Sequence, residues 1–456
     1  MNPAALAGFL VLSHTGGRVY SFGIDNVIIV SQNYNYMPFR GSVCLQGENI
    51  AEVRSGPVFK DECAQLIDGG GKILMPGLVN GHCHGDMTLA RGLGDDMTLL
   101  EQIKAFDSHN WFFKYITDDD RYNARQLAYC EALLAGTTFI CENMYWTLGE
   151  RSIQAMREIG IKGALVEDIR VNFSDSDSFL PDDALREFSA SCRENGLVPV
   201  IGLPAEEDYE TSRLRKAFKK LEDIDALQTL HLAENEWRVD LIQKKYGVRP
   251  IEYLAREGFL HDRLIGSHVV HAAENELRLL KDANVKIVNT PLCEMKIADG
   301  IAPIPEMLRQ GLTVGIGTDG ALWNNSNNIF REMKGMSLLH TVTKGIRSIS
   351  KKEILDMATT AGAAVFGREK EFGMIKEGMK ADMILIDTNK PHLQPLLLGK
   401  HENVSSAIVF NVTGADITDV FVNGKRLVKD GVLVTVDILS LCARVRQTAE
   451  KIAGMI

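Results

Sequence analysis

Between residues 78 and 319 the hydrophobic pattern repeats: a short apolar, β-branched run, then a longer stretch of helical character. The runs are "LVNGHCH", "TTFICEN", "GALVEDIRV", "LVPVIGLP", "LQTLHLAE", "RLIGSHVVH", "VKIVNTP" and "LTVGIGTD", eight in all. Strands alternating with helices pair in parallel, and runs that are apolar throughout predict strands covered on both faces. From His82 to Asp319 the chain advances 237 positions, close to the ~250 residues of a (β/α)8 barrel. An open doubly wound sheet is the competing arrangement. The barrel is favoured because His, Asp, Glu and Asn collect at the ends of the runs, the face on which barrel active sites are built.

Residues 24–75 and 377–437 carry a different pattern. "GIDNVIIVSQN", "GSVCLQGENIAEVRSG", "ADMILIDTN" and "DVFVNGKRLVKDG" are short β-patterned pieces punctuated by Gly, Asn and Asp, as in antiparallel hairpins. The expected fold is therefore α/β: a TIM-like (β/α)8 barrel over 76–376, with a small β-sandwich domain built from both chain ends, 24–75 plus 377–437. A helix over 438–456 closes the chain, and the residues before 24 read as an N-terminal extension. No repeat of fixed period and no low-complexity segment is visible.

Composition narrows the function. The 456 residues are 45% hydrophobic and 24% charged, ordinary for a globular chain. A net charge of −10 argues against nucleic acid as partner, because phosphate tracking needs clustered Lys and Arg. The N-terminal run "AALAGFLVL" is far short of the ~18 apolar residues that span a bilayer, and no Lys or Arg precedes it as in a secretory leader. No membrane is expected as a partner. Eight cysteines without paired spacing fit reduced thiols and a cytoplasmic protein.

The chemistry begins at "GHCH". Along a strand, residues i and i+2 share a face, so His82 and His84 should point together into the barrel mouth while Cys83 points away as a small packing residue. A metal needs three or four protein ligands. His231, in the fifth run, and Asp319, at the end of the eighth, complete a His3Asp set, each from a different strand end. Glu234, three positions past His231, is placed to swing back over the metal as a proton shuttle. His268 ends the sixth run and can hydrogen-bond the reacting centre. His271 should face differently and be structural; His14, His109, His261, His340, His392 and His401 are read as surface or packing residues.

Taken together, "PGLVNGHCH", "HLAE", "SHVVH", "GIAPIPEMLRQGLTVGIGTDG" and "GMIKEGMKADMILID" resemble the amidohydrolase superfamily. Within it they look most like the branch of S-adenosylhomocysteine and methylthioadenosine deaminases, guanine deaminases and s-triazine hydrolases. The resemblance runs from about residue 24 to 437. It implies one divalent metal, zinc first and iron second, held by His82, His84, His231 and Asp319, with Glu234 as proton shuttle and His268 polarising the reacting centre. No lysine ends the fourth run, where binuclear relatives place a bridging one, so a one-metal site is expected. The implied reaction replaces an exocyclic amino group on a purine, pterin, pyrimidine or triazine by hydroxide and releases ammonia, with Asp319 helping to move a proton to the leaving amine. Hydrolysis of a triazine chloride or an amide is the alternative, and a catalytically silent barrel a third. A homodimer or larger homo-oligomer is implied as well.

Three stretches depart from the branch, all where substrate is expected. Gly202-Leu203-Pro204 lacks the histidine of a Gly-Pro-His, "NTPLCE" has Cys293 and Glu294 in place of Ser and Asn, and Trp323 stands where relatives carry a small or hydroxyl residue. Glu294 is expected to accept hydrogen bonds from ring amino groups and Trp323 to stack on the ring.

Overall fold

The structure, a computed structural model, describes residues 19–33, 37–105, 115–143, 149–172 and 175–455. The N-terminal apolar run, His14 and His109 lie outside these residues. Eight strands form one sheet: β1 (Leu78–Cys83), β2 (Thr137–Asn143), β3 (Lys162–Asp168), β4 (Val198–Gly202), β5 (Leu227–Leu232), β6 (Leu264–His268), β7 (Lys286–Asn289) and β8 (Val314–Ile316). They are ordered as in the chain, every neighbouring pair parallel.

Each strand falls on one of the eight apolar runs, β3 starting one residue ahead of its run, and the sheet curls into a nearly closed barrel. The seam is sealed just beyond β8, where the amides of Thr318 and Asp319 both donate to the His82 carbonyl, at 3.0 and 2.9 Å. Only a glycine fits at 317: a Cβ there would stand 2.7 Å from the His82 nitrogen and 2.8 Å from its oxygen. The interior is filled by alternate residues, among them Val79, Phe139, Cys141, Val166, Val200, Ile265 and Val288, with Phe366 and Phe372 against Phe139. The intervening Ile140, Leu165, Ile201, Leu230 and Ile287 face the helix layer. Both faces are therefore buried, and each such side chain stabilises the fold by roughly 1.5–3 kcal/mol.

The third run is not one strand. β3 stops at Asp168, whose carboxylate accepts from the Arg170 amide at 2.7 Å and from its guanidinium. That local turn starts a two-stranded antiparallel pair, Arg170–Asn172 with Asp175–Phe179.

The two chain ends build a second, mixed sheet of nine strands. Its hinge is Ile73–Pro76, parallel to Tyr20–Ile29 on one side and antiparallel to Met383–Ile386 on the other. Two pairs are parallel, Cys63–Asp68 and Ile73–Pro76 against Tyr20–Ile29, where the turn-rich sequence suggested hairpins throughout. Because Ile73–Pro76 runs straight into β1, this sheet anchors the strand that carries the two leading histidines. The C-terminal helix Ile438–Ala453 packs along Asp118–Leu134, tied by Thr448 to Asp120 and Arg444 to Asn123. Among the described residues no helix is long and apolar enough to cross a membrane.

Candidate active site

The sequence expectation for "GHCH" rests on strict alternation, yet β1 is not regular. Asn80 pairs with Ile140 and Cys83 with Glu142, three steps on one strand against two on the other. This one-residue bulge decides the site. Val79 packs inside the barrel, so an unbroken pleat would send Gly81 and Cys83 to its face; the extra residue re-aims the strand and brings His82 and His84 to the mouth instead. His84 follows with extended backbone (φ −124°, ψ 91°), which keeps the two rings together, their centroids 5.0 Å apart. Cys83 is buried on the opposite side, its thiol 3.4 Å from Glu142 Oε2.

The side chains from the other strand ends meet there. Ligand atoms of His82, His84 and Asp319 lie within 4.8 Å of one another, and so do those of His82, His231 and His268. His82 belongs to both groups. Asp319 Oδ1 stands 3.8 Å from His82 Nε2 and 3.6 Å from His84 Nε2. Asp319 and His268 both adopt left-handed backbone, φ 62° and 70°. Such conformations are unfavourable for side-chain-bearing residues and concentrate at functional sites. At His268 the twist has a visible use, since it lets Ser267 and His268, neighbours in sequence, both reach the same centre.

The donor set suits a divalent cation. His82 Nε2 is buried without a hydrogen-bond partner among the described residues, whereas its Nδ1 lies 3.1 Å from Ser267 Oγ and 3.0 Å from the Asn143 amide. With a proton on Nδ1, donated to Ser267, and the Asn143 amide turned to present its oxygen rather than its nitrogen, the Nε2 lone pair is left for a metal. Burial pushes His82 and His231 far below the usual imidazole range, and the neighbouring rings push them further. Burial lowers His84 too, against a partial rise from Asp319. For His268 burial acts the same way, but Glu234, Glu294 and Asp319 outweigh it and raise the ring to about 10. Three neutral imidazoles and one cationic one divide naturally into electron-pair donors and a proton donor.

Glu234 is buried just past β5. One of its oxygens is 3.9 Å from His268 Nε2; the other accepts from Arg238, one helical turn on, which also pairs with Glu207 at 2.6 Å. Glu294 faces a different way from the one its sequence position suggested. Its oxygens accept from Asn289 Nδ2 at 2.7 and 2.9 Å and from the Thr290 amide at 3.1 Å, and one lies 3.6 Å from His268 Nδ1. A carboxylate so engaged orients His268 and Asn289 and has little left to offer a ring. Trp323 is buried edge-on to His84, with centroids 5.3 Å apart. Cys293 proves closer to the centre than the sequence indicated: its thiol is 3.0 Å from Asp319 Oδ2, leaving Oδ1 to face the histidines. His271 donates to the Asp299 carbonyl at 2.6 Å, a structural contact.

Asn143, Ser267 and Arg238 were not singled out from sequence. Arg238 carried a usable signal, its i+4 spacing from Glu234; Asn143 and Ser267 are polar residues at strand ends, and only the barrel shows that both face His82.

Residues 73–427 match the amidohydrolase family. The chain is 34% identical over 406 residues to a 5'-deoxyadenosine deaminase of Methanopyrus kandleri, covering 86% of this chain and 91% of that protein. It is 33% identical over 427 residues to a 5-methylthioadenosine/S-adenosylhomocysteine deaminase of Syntrophus aciditrophicus, covering 90% and 93%. Among solved structures, a zinc-bound adenosine deaminase from Xanthomonas campestris superposes with a TM-score of 0.86 at 24% identity, over 96% of this chain and 100% of that one. A triazine hydrolase shares the fold with a TM-score of 0.83 at 21% identity, over 94% and 99%. The chain is a member of the amidohydrolase family.

Proposed function

We propose that this protein is a metal-dependent aminohydrolase that replaces an exocyclic amino group of a heteroaromatic ring by hydroxide and releases ammonia. The observation that supports the reading is Glu234, a buried carboxylate held by Arg238 on one oxygen and facing with the other His268, whose ring nitrogen lies within ligand distance of His82 and His231. The similarity to two nucleoside deaminases supports it. His82, His84, His231 and Asp319 would hold the metal. A divalent ion bound there would supply Lewis-acid chemistry, lowering the pKa of a bound water towards ~7.

The chain's own groups then do the proton work. Glu234 accepts a proton from the attacking water and passes it to a ring nitrogen, while Arg238 keeps the carboxylate from rotating out of reach. His268, held by Thr290 at 2.9 Å and Glu294 behind it, donates from Nε2 towards charge developing at the reacting carbon. Asp319, fixed on its far oxygen by Cys293, helps move a proton to the leaving amine. Ammonia departs and a ring carbonyl remains. The eight cysteines are free thiols, seven of them buried, which fits a reducing compartment such as the cytoplasm.

The test is a panel of amino- and chloro-substituted purines, pterins, pyrimidines and triazines, scored for both ammonia and chloride. Ammonia from one or more amino-heterocycles is the expected result. Chloride alone would replace deamination by dehalogenation, and neither product from any compound would defeat the reading. Elemental analysis of the purified protein should return about one tightly held metal per chain, since four ligands and no bridging lysine make a mononuclear set. Two per chain would overturn the single-metal arrangement.

A further inference from the structure

The loop after β4 takes no part in the proposed reaction, yet it reaches Glu234 by two routes. A short 3-10 turn, Glu206–Asp208, brings two adjacent carboxyls beside the end of β5. Glu207 pairs with Arg238 at 2.6 Å, and Arg238 holds one oxygen of Glu234. Glu206 works through the backbone: one of its oxygens accepts from the amide of Ala233, the residue directly before Glu234. The Ala233 carbonyl in turn accepts from the His271 amide at 2.9 Å, and the Leu232 carbonyl from the Val269 amide at 3.0 Å.

Ala233 needs this hold. Its φ of 47° is left-handed, a conformation that a residue with a Cβ keeps only where the surroundings over-determine it. The twist ends β5 and turns the chain so that Glu234 faces His268 Nε2 at 3.9 Å. Glu206 itself is unfavourable to bury. It is 1% exposed, and burial pushes its carboxyl up to about 7 against the pull of Arg238. An apolar side chain would fill the space at less cost, but could not receive the amide. Charged or neutral, a carboxyl keeps an oxygen with lone pairs for an N–H donor, so either form can make the bond. The loop is also fixed independently of Glu234. Arg170, past the end of β3, pairs with Asp208 at 2.8 Å, Arg213 donates to the Asp208 carbonyl at 2.7 Å, and Lys245 and Tyr246 both donate to the Tyr209 carbonyl at 2.7 Å.

We propose that this loop is the mount of the proton shuttle: Glu206, through the Ala233 amide, and Glu207, through Arg238, are positioning residues that fix Glu234 in the orientation from which it exchanges protons. Neither residue touches the reacting atoms. The inference rests on the deaminase reading for what Glu234 does, but not for how Glu234 is held.

Glu206→Leu keeps much of the bulk and removes the acceptor. It should lower kcat by about ten- to a hundred-fold, the scale of an ångström-sized misplacement of a reacting group, with KM and metal content unchanged. Glu206→Gln, whose carbonyl oxygen can still receive the amide, should restore near-wild-type turnover. In a Glu234→Gln background there is no shuttle left to misplace, so Glu206→Leu should have little further effect on kcat. Normal turnover in Glu206→Leu, or its full loss repeated in the Glu234→Gln background, overturns the proposal. Should the Leu variant not fold, Glu207→Ala, at an exposed position, runs the same cycle through Arg238 with the same results for and against. The hold itself is read without substrate, by hydrogen exchange. The Ala233 amide should be protected in the wild type and in Glu206→Gln, and lose most of that protection in Glu206→Leu. Protection that survives Glu206→Leu would mean that the carboxyl does not hold the backbone. Absence of ammonia release from every amino-heterocycle would defeat the deaminase reading, and the exchange pattern would still decide how Glu234 is held.

Discussion

Glu234→Gln should leave the metal content of the protein unchanged and lower kcat by about 10²- to 10⁴-fold, the contribution typical of a positioned acid-base group. Gln has the shape of Glu, and its carbonyl oxygen can still accept from Arg238, so the side chain should stay where it is. What it loses is the ability to take a proton from water and hand it to the ring. KM should change little, unless Glu234 already bonds the ring nitrogen before reaction, in which case KM rises too. A variant that keeps its metal and near-normal turnover would make Glu234 a mere partner of Arg238. His268 would be the next candidate for the shuttle.

The second large effect separates two adjacent residues. His84→Ala should lose both bound metal and activity, because it removes one of the four ligands proposed for the ion. Cys83→Ala should retain both. The Cys83 thiol contacts Glu142 on the opposite side of the strand, and losing that weak donor costs on the order of 1 kcal/mol of stability. Metal analysis of the two purified variants decides the matter. A metal-free Cys83 variant would mean that the bulge in β1 does not set the faces as described.

The barrel was legible because its signals are local. Eight apolar runs at regular spacing announce covered parallel strands, and strand-end histidines stand out against them. The aim of His82 and His84 was foreseen for an incomplete reason: alternation alone, counted from the interior Val79, would have placed Cys83 in the mouth, and the bulge that corrects this has no marker in the sequence. Glu294 shows the same limit. From sequence it is an acid in a substrate loop, but a carboxylate takes its meaning from its partners, and Asn289, Thr290 and His268 become its partners only once β6 and β7 pair. The same holds for Cys293 and Asp319, 26 positions apart.

The seam between the first and last barrel strands has a consequence for how the protein folds. His82 is a proposed ligand and, through its carbonyl, the acceptor for the amides of Thr318 and Asp319, so the contact that closes the barrel involves two of the residues proposed to hold the ion. They lie 237 positions apart, and contacts of such long range form late because the chain between them must be ordered first. The metal site should therefore be absent from early folding intermediates and assemble in the final step. Bound ion then acts as a clasp across the seam, favouring the closed chain by mass action. Unfolding of the loaded protein should start by parting this seam, at a rate that falls as free metal rises.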